Sequence, residues 1–194
     1  MATVAIGRIF GDYEEAGSNA TLLCPPHPEF GGSRYDVRLE RIASRLHPVG
    51  FSTLRFDYSK PFCAKKAVED AVLCLRYLRE RHSFVAVVGY SFGAVVASNV
   101  ASSTGCDAVV LISPLLRIDG LTIKDSRPPK LIVVATRDEI ATVDESERIA
   151  AMLSPPKEVV TLETDHLYTG KHDVLAEIVG DFLLRLSNTE SGII

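Results

Sequence analysis

A chain of 194 residues is long enough to bury one sizeable core, and its 46% hydrophobic and 24% charged residues are ordinary for a globular protein. The net charge of -4 and the lack of a basic block argue against nucleic acid as a partner, and no apolar run nears the roughly 20 residues of a membrane helix. The N-terminus "MATVAIGRIFGDYEE" has no charged start followed by a long apolar core, so no signal peptide is expected.

Apolar runs alternate with helix-period segments along the chain, the pattern of an α/β fold with a largely parallel sheet. "TVAIGRIF" and "ATLLC" read as strands joined by the turn-rich "GDYEEAGSN", and "PPHPEFGGS" as a loop. A helix follows, with Ser33 as cap, Asp36 as its partner, and Leu39, Ile42, Ala43 and Leu46 on one face. "FSTLRF" is a strand. The spacing of Ala64, Ala67, Val68, Ala71, Val72, Leu75 and Leu78 predicts an amphipathic helix. "FVAVVG" reads as a central parallel strand, "FGAVVASNVAS" as the helix behind it, and "DAVVLIS" and "KLIVVAT" as two more buried strands. Between these last two, "PLLRIDGLTIKDSRPP" is only a loop's worth of chain. Thr142 with Glu145 suggests a capping box, "EVVTLE" a last strand, and Val174, Ile178, Val179, Phe182 and Leu186 a closing helix before a frayed tail, "SNTESGII". No repeat appears, so residues 1–194 are expected to form a single domain.

The four cysteines, Cys24, Cys63, Cys74 and Cys106, show no C-x-x-C spacing. They read as reduced, buried thiols of a cytoplasmic protein. No histidine-carboxylate cluster has metal-ligand spacing, and neither a metal nor an organic cofactor is expected.

The stretch "GYSFGA" puts a polar residue, Ser91, at the seam between a buried strand and a helix. A serine hydroxyl becomes a useful nucleophile only with a base at hand and donors for the developing oxyanion. A sharp strand-to-helix turn supplies exposure and one donor, here the Phe92 N–H, provided that residues two before and two after are small. Gly89 and Gly93 meet that condition. G-x-S-x-G alone is a short pattern that chance also produces; its position between strand and helix is what gives it weight.

An acid and then a histidine should follow, each after a later strand. Asp138 comes just after "LIVVAT" and His166 just after "EVVTLE". His166 would relay the proton of Ser91, and Asp138 would fix the tautomer of His166 and stabilise its cation. Glu139, Asp144 and Asp165 compete for the acid's place. His47, His82 and His172 fall at helix ends or starts and read as surface or capping residues.

Read together, "PPHPEFGG", "GYSFGA", "RPPKLIVVATRDEI" and "DHLYTG" resemble the α/β-hydrolase superfamily, specifically its small, lid-poor bacterial and archaeal serine hydrolases. That subgroup carries H-P-H-P-x-x-G-G, G-[FY]-S-F-G-A and D-H-F-F-x-G in this order. The resemblance runs from about Val4 to Leu186; Pro25 stands where the subgroup has its first histidine, and "RFDYSKPF" where an arginine-glycine turn is frequent.

It implies a mostly parallel sheet of about seven strands, helices on both faces, no sizeable lid, and a Ser91-Asp138-His166 triad acting on a small ester or related acyl bond. The expected partner is a small-molecule acyl substrate, and a homodimer is compatible with the chain. A second oxyanion donor should come from the loop after "ATLLC". Proline has no N–H, which leaves His27, Glu29 and Phe30. The proline of related H-G-x-P loops aligns with Pro28 and so points to the backbone N–H of His27. A thioesterase, peptidase or acyltransferase would use the same triad. A binding protein of this fold without turnover is the reading from another class.

Overall fold

The computed structural model describes residues 2–191, in one sheet of eight strands with helices on both faces. The strands are β1 (Ala2–Ile6), β2 (Ile9–Glu14), β3 (Asn19–Cys24), β4 (Phe51–Phe56), β5 (Phe84–Tyr90), β6 (Ala108–Ile112), β9 (Lys130–Ala135) and β10 (Lys157–Leu162). A two-residue hairpin, β7 (Arg117–Ile118) with β8 (Leu121–Thr122), lies apart from them in the β6–β9 connection. The helices are α1 (Val37–Leu46), α2 (Ala64–Arg79), α3 (Phe92–Ser103), α4 (Val143–Met152) and α5 (His172–Ser191).

The sheet order is β1-β2-β4-β3-β5-β6-β9-β10. The first two strands join antiparallel at one edge, and every pair from β4 onward is parallel. Alternation of side chains along a strand assigns each residue to a face. Val85, Val87, Val109, Leu111, Ile132 and Val134 pack with the buried faces of α2, α3 and α4. Their neighbours Ala86, Val88, Val110, Ile112, Leu131 and Val133 pack with α1 and α5. Both faces are covered, which is why the central strands read as unbroken apolar runs.

Three local readings change. "TVAIGRIF" is not one strand: Gly7, at φ +60°, turns the chain back between β1 and β2, and β2 runs on through Gly11–Glu14, part of the stretch expected to be a turn. This hairpin supplies the eighth strand. The cap of α1 is Asp36, whose side chain accepts from the N–H groups of Arg38 and Leu39, while the Ser33 hydroxyl takes the Tyr35 N–H, outside the helix. The tail expected to fray from residue 187 stays helical through Ser191, and Ser187 is buried; residues 192–194 lie outside the described chain. The β6–β9 connection holds only the β7–β8 hairpin, and among the described residues no lid covers the sheet's C-terminal edge.

Candidate active site

Four strands of the parallel sheet, β3, β5, β9 and β10, deliver their following loops to one place. Ser91 stands between β5 and α3 at φ 55°, ψ -117°, a backbone region that L-residues avoid. Its N–H donates to Ile112 O of the neighbouring strand at 2.9 Å, and its C=O accepts from Ala94 N–H to open the helix. Tight packing explains the flanking glycines. A Cβ on Gly89 would lie 2.0 Å from Gly93 O, and one on Gly93 would lie 2.2 Å from Cys24 O. The elbow and the loop after β3 are therefore in main-chain contact.

His166 Nε2 lies 3.1 Å from Ser91 Oγ, and His166 Nδ1 lies 2.7 Å from Asp138 Oδ2. The other oxygen of Asp138 accepts from Ile140 N–H at 2.9 Å and Ala141 N–H at 2.8 Å. Burial opposes ionisation of Asp138, but the bonds from His166 and from the Ile140 N–H outweigh it and hold the carboxyl below its usual range. An ionised Asp138 can only accept, so His166 carries its proton on Nδ1 and leaves Nε2 free to accept from Ser91 Oγ–H. All three side chains are buried. Of the competing carboxylates, Glu139 and Asp144 are exposed and Asp165 caps Thr169 N–H at 3.0 Å; none bonds His166.

What holds His166 in place is not legible in the sequence. Tyr90, the residue before Ser91, donates its hydroxyl to His166 O at 2.8 Å, with its ring 5.3 Å from the imidazole. The guanidinium of Arg38, from α1, lies over that tyrosine ring, 4.4 Å from its centroid, and donates to Leu167 O at 3.2 Å. It is also paired with Asp36. Tyr168, buried at φ 57°, shares a 3.0 Å bond with Ser113 Oγ. The tyrosines were visible within "GYSFGA" and "DHLYTG", but only as motif letters.

The loop after β3 is resolved by its hydrogen bonds. Glu29 N–H donates to His27 Nδ1 at 3.2 Å and Phe30 N–H donates to His27 O at 3.1 Å. Among the described residues, the N–H groups of His27 and Phe92 have no acceptor. Gly32 lets this loop fold back on itself, since a Cβ there would lie 2.2 Å from Pro26 O. The His27 side chain is buried against the rings of Phe30, Phe62 and Phe92, and its Nε2 lies 2.6 Å from Asp119 Oδ2.

A cavity of about 350 Å³ opens over Ser91 and His166. Its apolar wall is Pro26, Phe30, Leu115, Ile118, Ile140 and Leu167, and its charged residues are Asp36 and Arg38. Phe30, Ile140 and Leu167 are exposed large apolar side chains gathered at this one mouth. A larger hollow of about 920 Å³, lined by residues 101–107, 125–128 and 154–155, lies among the loops that enter β6 and β9, the opposite end of those strands.

Two side-chain expectations fail. Cys63 is exposed, because it stands before the first turn of α2 rather than on its buried face; there the N–H groups of Lys66 and Lys65 lower its thiol pKa. Burial pushes the thiols of Cys24, Cys74 and Cys106 up, that of Cys106 to about 12. His82 is buried, bridging Tyr13 OH at 2.9 Å and Gly17 O at 3.1 Å. Among the described residues, no cluster of His, Cys, Asp and Glu could hold a metal ion, and no helix is long and apolar enough to cross a membrane.

The fold is shared with solved structures. An α-β serine hydrolase homologue from Coxiella burnetii superposes with TM-score 0.84 at 22% identity, covering 94% of this chain and 96% of that one. XC6422 from Xanthomonas campestris, an α/β serine hydrolase without a lid, gives 0.83 at 18% identity over 95% and 94%. Est1E from Butyrivibrio proteoclasticus gives 0.80 at 15% identity over 93% and 95%. No curated protein matches the sequence. The model of the dienelactone hydrolase family matches residues 52–170, from β4 through the elbow to the loop bearing His166. That is more than half of the chain and makes it an α/β-hydrolase enzyme of ester-like substrates: the protein belongs to the dienelactone hydrolase family.

Proposed function

We propose that the protein hydrolyses small, neutral carboxylic esters through an acyl-enzyme on Ser91. The observation that carries this is the unbroken hydrogen-bonded line Ser91–His166–Asp138 at the floor of an open cavity.

Ser91 Oγ attacks the carbonyl carbon while its proton passes to His166 Nε2. The carbonyl π electrons move to oxygen, and the N–H groups of Phe92 and His27 stabilise that oxyanion. As the intermediate collapses, the alcohol leaves with the proton from Nε2. Water then gives a proton to Nε2, attacks the acyl carbon and releases the carboxylic acid and Ser91 Oγ–H. Asp138 stays ionised throughout and balances the imidazolium.

The cavity volume favours a short or compact acyl group. Its wall offers dispersion contacts, and among the described residues that line it the arginine, Arg38, is already engaged with Asp36, Tyr90 and Leu167, so no uncommitted cation there awaits a substrate carboxylate. Est1E is known in a complex with ferulic acid, which supports an aromatic acid as one product to try.

A fluorophosphonate probe is expected to label the wild type and to leave Ser91→Ala unlabelled. A wild type that resists the probe contradicts the mechanism. A series of nitrophenyl esters of increasing acyl length, run beside thioesters and amides, then fixes chain length and leaving group.

A further inference from the structure

His27 Nδ1 is committed as an acceptor of the Glu29 N–H. Its proton therefore sits on Nε2, which donates to Asp119 Oδ2 at 2.6 Å. Asp119 comes from far along the chain. It stands at the tip of the β7–β8 hairpin, where Asp119 at φ 47° and Gly120 at φ 77° make the tight turn between two-residue strands.

The base of that hairpin is anchored elsewhere. Thr122 O accepts from Asn99 Nδ2 at 2.9 Å, and Lys124 N–H donates to Ser98 Oγ at 3.1 Å. Leu116 N–H donates to Glu145 Oε1 at 2.6 Å. Ser98 and Asn99 belong to α3, the helix that starts at Phe92. The hairpin thus forms a bracket: its base rests on the helix that carries the elbow, and its tip holds the loop after β3. Among the described residues, the Asp119 carboxylate has no other hydrogen bond. The imidazole it holds packs 4.9 Å from the Phe92 ring, so the side chain of one residue with a free N–H rests on the residue that owns the other.

We infer that His27 and Asp119 are positioning residues, and that their hydrogen bond fixes the His27 N–H at the distance from Ser91 that the oxyanion requires. This rests on the acyl-enzyme reading above. Neither side chain exchanges a proton with substrate; the bond acts only through the main chain of His27. A plain rim carboxylate would instead affect how substrate enters.

The test compares wild type, Asp119→Ala and Asp119→Asn on a short nitrophenyl ester, with inhibition by an alkyl boronic acid. The boronic acid forms a tetrahedral adduct on serine that places an oxygen where the oxyanion forms. Asp119→Ala is expected to lower kcat about 10- to 100-fold and to weaken the boronic acid by a similar factor, with KM changed by no more than about twofold. Asp119→Asn keeps an acceptor for Nε2–H and is expected to recover most of both. Asp119 is half-exposed at a turn, so each variant should fold, and thermal unfolding verifies that. An unchanged kcat in Asp119→Ala overturns the proposal, as does a loss confined to KM with the boronic acid unaffected. In both cases fluorophosphonate labelling of Ser91 stands. Failure of the wild type to label overturns the acyl-enzyme reading, and this proposal with it.

Discussion

Asp138 uses its two oxygens differently. Oδ1 closes the turn to Ile140 and Ala141, and Oδ2 orients His166. Its carboxyl is held below the ordinary range, so its folded-state pKa lies under the unfolded value of about 3.9. Between those two values the unfolded chain binds more protons, and stability rises with pH. The contribution is therefore complete above about pH 5 and lost as pH falls through the lowered folded value. Urea denaturation in steps from about pH 5 to about pH 2 should show a steeper loss for the wild type than for Asp138→Asn; equal slopes would contradict the assignment. Asp138 was legible because it follows a buried strand, as do Ser91 and His166, and a parallel sheet gathers such positions at one edge. Arg38 and Asp119 were not. Arg38 meets the site through Leu167, 129 residues away, and Asp119 meets His27 across 92, and nothing local to either residue reports such a meeting.

At the level of elements, the capping-box reading at α4 met a half-formed motif. Thr142 Oγ1 accepts from Glu145 N–H at 3.3 Å, but Glu145 does not reach back to its cap. Its carboxylate instead takes the Leu116 N–H at the foot of the hairpin. Sequence spacing identifies a glutamate three residues after a threonine; it does not reveal a competing donor from another loop. Glu145→Ala should strand the half-buried Leu116 N–H and cost about 1–3 kcal/mol in urea denaturation. Glu145→Gln, with an amide oxygen in place of the carboxylate, should lose clearly less. If the two variants are equally stable, the bond has no weight. The β1–β2 turn was missed for a related reason. In "TVAIGRIF" apolar residues precede Gly7 and resume just past Arg8, so the residue with φ above zero carries little signal against the run around it. The length of α5 was underestimated because "SNTES" has poor helix propensity; packing at Ser187 overrides it.

Across the whole molecule, both faces of the sheet are covered while its C-terminal edge, with the Ser91 cavity, lies open. The connection that could have carried a lid holds only a hairpin whose tip binds the neighbouring loop. With no lid to be displaced, the rate on a sparingly soluble ester should follow simple saturation through the solubility limit. A jump in rate once emulsion forms would show a closing element at work. The α/β class and the largely parallel sheet were readable because the buried strands alternate with amphipathic helices, and that pattern needs no knowledge of contacts; the order of the strands across the sheet is set by pairings that the pattern does not carry.

The close approach of Gly93 to the carbonyls of Cys24 and Pro25 has a consequence for divergence. Main chain against main chain fixes the spacing between the elbow and the first two residues of the loop after β3, so that distance is inherited from the fold, and side chains such as Asp119 act only on the part of the loop beyond it. Phe30, Ile140 and Leu167 lie outside that contact, on the cavity mouth. The side chains of Ile140 and Leu167 are free to drift, and a change at either re-cuts what the cavity accepts while the geometry around Ser91 stays as it is; Phe30 also packs on the His27 ring and is held by it. Selection for a new substrate would therefore act first on Ile140 and Leu167.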